Sequence, residues 1–325
     1  MDSFRFAFDA LAPLISLALL GYVLRRSGVL SDAFIDVLNR YIFVVALPVL
    51  VFLAMARIDD VSALSLMLLG IAVGAVTLSV VLGLVSSRVL VRSGREKPVV
   101  VQAFFRGNFV LIGIPLVTQV GGLEALAIMV ILNAFLIPLT NTLSIVVFSL
   151  YQAETRLSWE TMRQVLLITI KNPLMIAVGL GLLAFLVQPA WRAFTSNAPF
   201  VPNTLDMIAQ TATPMALIAV GGSFRFKESK LYQRAMLVGT IGRMVVVPVL
   251  VLGPAVLWFS GVIPQAAWPA LIALFASPVA VSSVAVTRGL HGDDVLAGHL
   301  VLSTTAAGLV TLFVLVALMN YGGFI

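Results

Sequence analysis

Ten runs of apolar residues, each close to the length that spans a bilayer, partition this chain almost from end to end. They lie at roughly 8–25, 36–56, 62–90, 98–120, 123–150, 165–187, 203–223, 233–259, 265–287 and 293–321. A helix needs about 20 mostly apolar residues to cross the hydrocarbon layer. Ten such helices with short connections use up 325 residues and leave no length for a soluble domain. Composition agrees, with 61% hydrophobic and 10% charged residues, against about 45–50% and 25% in soluble domains. The fold class expected is an all-α membrane protein of ten transmembrane helices, with lipid as its solvent.

The breaks between runs carry turn and charge signals, such as Arg25-Arg26-Ser27-Gly28, Arg57-Ile58-Asp59-Asp60, Gly121-Gly122 and Gly289–Asp294. Sorted by alternate loops, fifteen basic residues share one face: Arg25, Arg26, Arg40, Arg88, Arg92, Arg95, Lys97, Arg156, Arg163, Lys171, Arg225, Lys227, Lys230, Arg234 and Arg288. Only three, Arg5, Arg57 and Arg192, fall on the other. Such a bias marks the basic loops as cytoplasmic and puts both termini on the non-cytoplasmic side of the cell inner membrane. The formal charge of +6 is thus first a topology signal and implies no nucleic-acid partner. Met1 to Asp9 lack the basic region and cleavage site of a secretory signal, so the first run reads as a retained span.

Three proline-centred matches repeat in order. Pro13-Leu14-Ile15 with Gly21 resembles Pro173-Leu174-Met175 with Gly181, Pro48 matches Pro214, and Pro115 matches Pro278, at offsets near 160, 166 and 163. They suggest a duplicated five-helix unit, 1–151 and 165–325, joined by a short cytoplasmic linker at 152–164. An odd number of spans per unit inserts the second copy upside down, the inverted-repeat design of many secondary transporters. Within the units, Arg106-Gly107-Asn108-Phe109 to Pro115 in span 4 and Ser277-Pro278 to Ser282-Ser283 in span 9 should break near the midplane. A broken helix presents unpaired N–H groups at the start of its second half, which favours an anion such as a carboxylate.

Here the sequence resembles the auxin efflux carrier family, which includes plant auxin carriers and bacterial permeases, some of them for malonate. The segments that carry the resemblance are Arg106-Gly107-Asn108-Phe109 to Gly113-Ile114-Pro115-Leu116, Lys171-Asn172-Pro173, Thr213-Pro214-Met215-Ala216-Leu217 to Gly221-Gly222-Ser223, and Leu300-Val301-Leu302-Ser303-Thr304-Thr305. It implies crossed, broken spans 4 and 9, elevator-type alternating access, and a homodimer through spans 1, 2, 6 and 7. Sodium/proton antiporters and bile acid symporters share that architecture. The segment between spans 5 and 6 is short here, so the long regulatory loop of the plant carriers is missing.

The resemblance places Asn108 at the substrate, beside a break flanked by Gly113, Pro115, Ser277, Pro278 and Ser282. Asn133 and Asn141 on span 5 either face the substrate or bond between helices. Arg106 either snorkels to the headgroups or draws an anion toward the cytoplasmic vestibule; Arg243 reads as a snorkelling residue. His299, Asp206 and Ser303 are the groups through which H+ or Na+ coupling would run, although each also has a structural reading. With no cysteine and two histidines, no metal site or cofactor is expected. The function expected is transport of a small organic anion, a carboxylate or dicarboxylate. A sodium-coupled carrier of the bile acid symporter type is the alternative. A channel would need a repeated filter sequence, and a membrane-embedded enzyme a zinc motif or paired aspartates within spans.

Overall fold

Hydrocarbon offers the backbone no hydrogen-bond partners, so a chain of this composition must satisfy its amides internally, and helices do so within each segment. The computed structural model describes residues 2–57, 66–151, 163, 167, 170–223 and 232–325. The expected linker 152–164, Arg163 apart, lies outside them, as do Asp59, Asp60, Arg156, Arg225, Lys227 and Lys230. The helices are α1 (Asp2–Arg26), α2 (Asp32–Ala56), α3 (Leu66–Leu90), α4 (Lys97–Phe105), α5 (Phe109–Tyr151), α6 (Pro173–Leu186), α7 (Gln188–Asn197), α8 (Phe200–Gly222), α9 (Gln233–Phe259), α10 (Ala267–Ala276), α11 (Ser282–Gly289) and α12 (Asp294–Tyr321).

Six of these, α1, α2, α3, α5, α9 and α12, are long and apolar enough to cross a membrane; the pair α6 and α7, bent by 94°, makes a seventh if taken as one span. The count falls short of the ten apolar runs for a physical reason. The runs at 98–120 and 265–287 are each helices broken partway, between α4 and α5 and between α10 and α11. Conversely, the 43 residues of α5 would extend about 65 Å at 1.5 Å per residue, twice a hydrocarbon layer of about 30 Å. Gly122 divides it, with φ 66° and ψ −159°, a backbone region open to glycine and costly for other residues. Large apolar side chains such as Leu19, Val85, Leu257 and Trp258 are exposed on the outer faces, as expected where lipid is the solvent, while Trp268, Phe104, Phe148 and Met129 fill the interior.

Three prolines leave the same mark. π-Helical turns at Ile42–Ala46, Phe109–Gly113 and Gly242–Val246 each immediately precede a helical segment whose second residue is Pro48, Pro115 or Pro248. Proline supplies no N–H to the carbonyl four residues back and clashes with it, so the turn widens to i→i+5 pairing and the helix continues.

Helix packing is tightest where small residues let backbones touch. α1 lies along α8, and a Cβ at Gly21 would stand 2.1 Å from the carbonyl oxygen of Ile218, one at Gly221 only 1.8 Å from that of Ala18. α6 lies along α2 in the same manner, with Gly181 against Met55, where an added Cβ would come within 2.5 Å. Gly21 and Gly181 are the two glycines of the proline-centred match, and each meets the helix that the other half contributes.

Candidate crossover site

The interruptions of the two broken helices meet. α4 ends at Phe105 and α5 starts at Phe109, while α10 ends at Ala276 and α11 starts at Ser282. Between them the chains run antiparallel for one bridge, Gly107 opposite Val279. The Asn108 amide donates to the Pro278 carbonyl at 2.6 Å, and the Ala280 amide to the Arg106 carbonyl at 2.9 Å. Two unwound segments thereby satisfy each other away from water. Ser277 is extended, with φ −64° and ψ 145°, as the residue before a proline is forced to be.

One expectation is corrected. Pro115 does not make the break of its span, because the π-helical turn at Phe109–Gly113 absorbs it and the helix runs on. The break lies upstream at Arg106-Gly107-Asn108, whereas Pro278 does sit within its own. Asn108 acts as the cap of α5, its Oδ1 accepting from the Leu111 amide at 3.2 Å. Gly113 packs the turn against Ser277, whose Oγ would be 3.3 Å from a Cβ there. The Ser277 hydroxyl donates to the Ala273 carbonyl.

On one side of the crossover is a cavity of about 270 Å³, lined by Arg106, Asn133, Thr140, Asn141, Asn172 and Ser282 among apolar residues that include Phe43, Phe105, Phe109 and Phe275. Asn108 is not in its wall. Arg106 is 8% exposed. Its Nη1 donates to Asn141 Oδ1 at 2.7 Å and to Ser144 Oγ at 3.4 Å, and its Nη2 to Ser282 Oγ at 3.3 Å. Its Nε is buried with no hydrogen-bond partner. Every partner of this guanidinium is neutral, and it forms no ion pair among the described residues. A buried cation held only by neutral dipoles attracts an anion strongly, because the surrounding dielectric is low. Asn133, in the cavity wall, donates its Nδ2 to its own helix at Met129 O, 3.0 Å. A second cavity of about 240 Å³, between α1, α8 and α12, is lined almost wholly by apolar side chains and offers an anion no charged group.

Arg243 overturns the snorkelling expectation. It is 1% exposed and spends its guanidinium on three backbone carbonyls at the crossover, Ser277, Phe104 and Leu274, at 2.7, 3.0 and 2.9 Å. The sequence signal was present: an arginine in mid-span between Gly242 and Pro248, with no chain end within snorkelling reach. Asn172 also gained a place, capping α6 through the Leu174 amide at 2.9 Å while facing the cavity.

None of His299, Asp206 and Ser303 lines the cavity. His299 Nδ1 is 2.8 Å from the Val295 carbonyl, and its ring lies 5.8 Å from that of Tyr232. Asp206 pairs with Arg57 at 2.7 Å, and Ser303 shares a hydrogen bond with Thr240 at 2.7 Å. No group of three or more metal-ligating side chains occurs among the described residues.

Two broken helices cross beside a cavity, in a bundle of membrane-length apolar helices, as discontinuous helices do in many secondary transporters. The sequence matches the family of membrane transport proteins over residues 6–316. The chain belongs to this family, that of the auxin efflux carriers. No curated protein matches it. As a member of the auxin efflux carrier family it is a membrane transporter and not an enzyme.

Proposed function

We propose that this transporter is a secondary active carrier of a small organic anion, a carboxylate bound at the crossover through Arg106. The observation that carries the reading is the Arg106 guanidinium, which lines a cavity, is paired with neutral groups only and forms no ion pair among the described residues. Asn133, Asn141 and Ser282 complete the polar wall, and the start of α5, capped by Asn108, adds the positive end of a helix dipole. Gly113, Pro115, Ser277 and Pro278 shape the break that holds these groups. H+ or Na+ coupling through His299, Asp206 or Ser303 would act at a distance from this cavity.

In this reading the bundle has ten spans in two inverted repeats. Ten result if α4 is joined to the start of α5, α5 is divided at Gly122, α10 is joined to α11, bent α6–α7 is one span and the 23-residue α8 is counted as another. The reciprocal glycine packing of α1 on α8 and α6 on α2 supports the duplication. Both termini lie outside the cell inner membrane, a homodimer forms through the first two spans of each repeat, and transport proceeds by an elevator motion. Asn141, Asn172 and Val286 lie toward the helix ends that carry the basic loops, which supports a cavity that faces the cytoplasm.

Reconstitution in proteoliposomes with labelled mono- and dicarboxylates tests the proposal. At least one such anion should be taken up, and uptake should be lost in Arg106→Gln. If no organic anion moves or binds, the carboxylate reading is wrong.

A further inference from the structure

Arg243 stands apart from the cavity and contacts no side chain that could carry substrate specificity; its three hydrogen bonds all go to main-chain oxygens. Those oxygens belong to one region of electrostatic need. The Phe104 carbonyl lies in the last turn of α4, and the Leu274 and Ser277 carbonyls lie in the last turn of α10 and just past it. Carbonyls of a last turn receive no N–H from further along the helix, and they carry the negative end of its dipole. Here two such ends are brought together by the crossing, inside the bundle and away from water. Converging carbonyls at unwound helix ends are the chemistry that holds Na+ in carriers with discontinuous helices. In this chain a guanidinium already fills the place.

Its neighbours are shaped around it. A Cβ on Gly107 would stand 2.1 Å from Arg243 Nη2 and 3.1 Å from the Leu274 carbonyl oxygen, so glycine at the bridge leaves room for both the guanidinium and one of the oxygens it holds. Gly242, the residue before it, lies against the Phe104 ring, where a Cβ would come within 2.0 Å.

We propose that Arg243 is a tethered cation that permanently occupies the carbonyl cluster of the crossover. It latches the first halves of both broken helices together and leaves no Na+ site at that cluster. The inference takes its context from the transporter reading, but its test needs no substrate. Purified full-length protein is melted in Na+, choline and millimolar guanidinium salts at equal ionic strength, for wild type, Arg243→Met, Arg243→Lys and Gly107→Ala.

Loss of the buried network in Arg243→Met should lower the midpoint by about 10 °C. Arg243→Lys should fall by less than half as much, and guanidinium should restore Arg243→Met saturably while leaving wild type unmoved. Gly107→Ala should also fall, because the guanidinium it displaces is held by three bonds, and combined with Arg243→Met it should add nothing further. The idea is overturned if Met and Lys at 243 are equally damaging without guanidinium recovery, or if Gly107→Ala is neutral. A saturable, Na+-specific stabilisation of wild type that disappears in Arg243→Lys would also overturn it. Should Arg243→Met fail to fold, Gly107→Ala and Arg243→Lys still decide the matter. Transport failing for every anion while these shifts hold would refute the carboxylate reading and leave the latch standing.

Discussion

At the scale of single residues, the two interior arginines divide the electrostatic work. Both are buried, yet Arg243 has a partner for each of its three nitrogens whereas Arg106 retains a buried Nε without one. A cation held by three carbonyls away from any cavity is structural; one that lines a cavity and has neutral partners only leaves its charge uncompensated beside a ligand. Hydrogen bonds to charged groups contribute about 1.5–3 kcal/mol, so Arg106→Gln is expected to weaken anion binding by roughly 10- to 100-fold. Its melting midpoint should change little, since a neutral amide removes the buried charge together with the bonds that held it. Binding measured by substrate-induced thermal shift, alongside the midpoint without substrate, separates the two effects. Asn108→Ala should behave in the opposite way. Removing a cap costs about 1 kcal/mol of stability, and because Asn108 is not in the cavity wall, its effect on affinity should be the smaller of the two.

At the scale of helices, the ends of three elements converge where Glu96 precedes α4, Asp293 precedes α12 and Tyr232 precedes α9. Burial, and next the Asp293 carboxylate, raise the Glu96 carboxyl above its ordinary 4.5. A hydrogen bond to Asp293 is the largest of the influences that raise the Tyr232 hydroxyl. For Glu96 the folded state therefore prefers the protonated form. Its ionisation costs stability as pH rises from the ordinary carboxylate value through the raised one, and the cost stays constant above. Glu96→Gln should raise the thermal midpoint at neutral pH and remove part of the loss across that window; an unchanged pH–stability curve would contradict this.

Element packing makes a second demand, at Gly221. A side chain there must displace the α1 backbone at Ala18, so Gly221→Val should cost about 3 kcal/mol or more. Gly179→Ala, where no atom lies within 4 Å of the added carbon, is the matched control and should be neutral or slightly stabilising.

Elements also show what the sequence could and could not disclose. Apolar runs announced the long helices, because bilayer thickness sets a length that hydropathy records directly. The existence of breaks in spans 4 and 9 was legible from glycine and proline, but their positions were not. Pro115 and Pro278 look alike in sequence, yet one is accommodated by a π-helical turn and the other lies in an unwound segment. What decides between them is the partner strand, Gly107 against Val279, and a contact across 172 positions, 279 − 107, leaves no local trace. Arg106, Asn133 and Ser282 could be nominated because polar groups are costly in lipid. That Asn108 would turn from the cavity to cap its own helix, and that Arg243 would reach inward, depended on the same long-range contact.

At the scale of the whole molecule, the orientation expected from charge is open to a clean test, since the chain contains no cysteine. Single cysteines can therefore be introduced without removing any native residue. Ser3, at the start of α1, and Gly323, beyond the end of α12, are expected on the non-cytoplasmic face, and Ser93, in the connection between α3 and α4, on the cytoplasmic face. In intact cells a membrane-impermeant maleimide should label Ser3→Cys and Gly323→Cys, and should reach Ser93→Cys after lysis alone. The two termini are the informative pair. An even number of crossings puts them on one side and an odd number parts them, so labelling of just one terminus in intact cells would rule out ten spans, whatever the helices measure. Labelling of both is the outcome that ten spans require. The same two cysteines, read in the presence of a transported anion, should not change their labelling. An elevator motion carries the crossover past fixed scaffold helices and leaves the sides of the chain ends untouched.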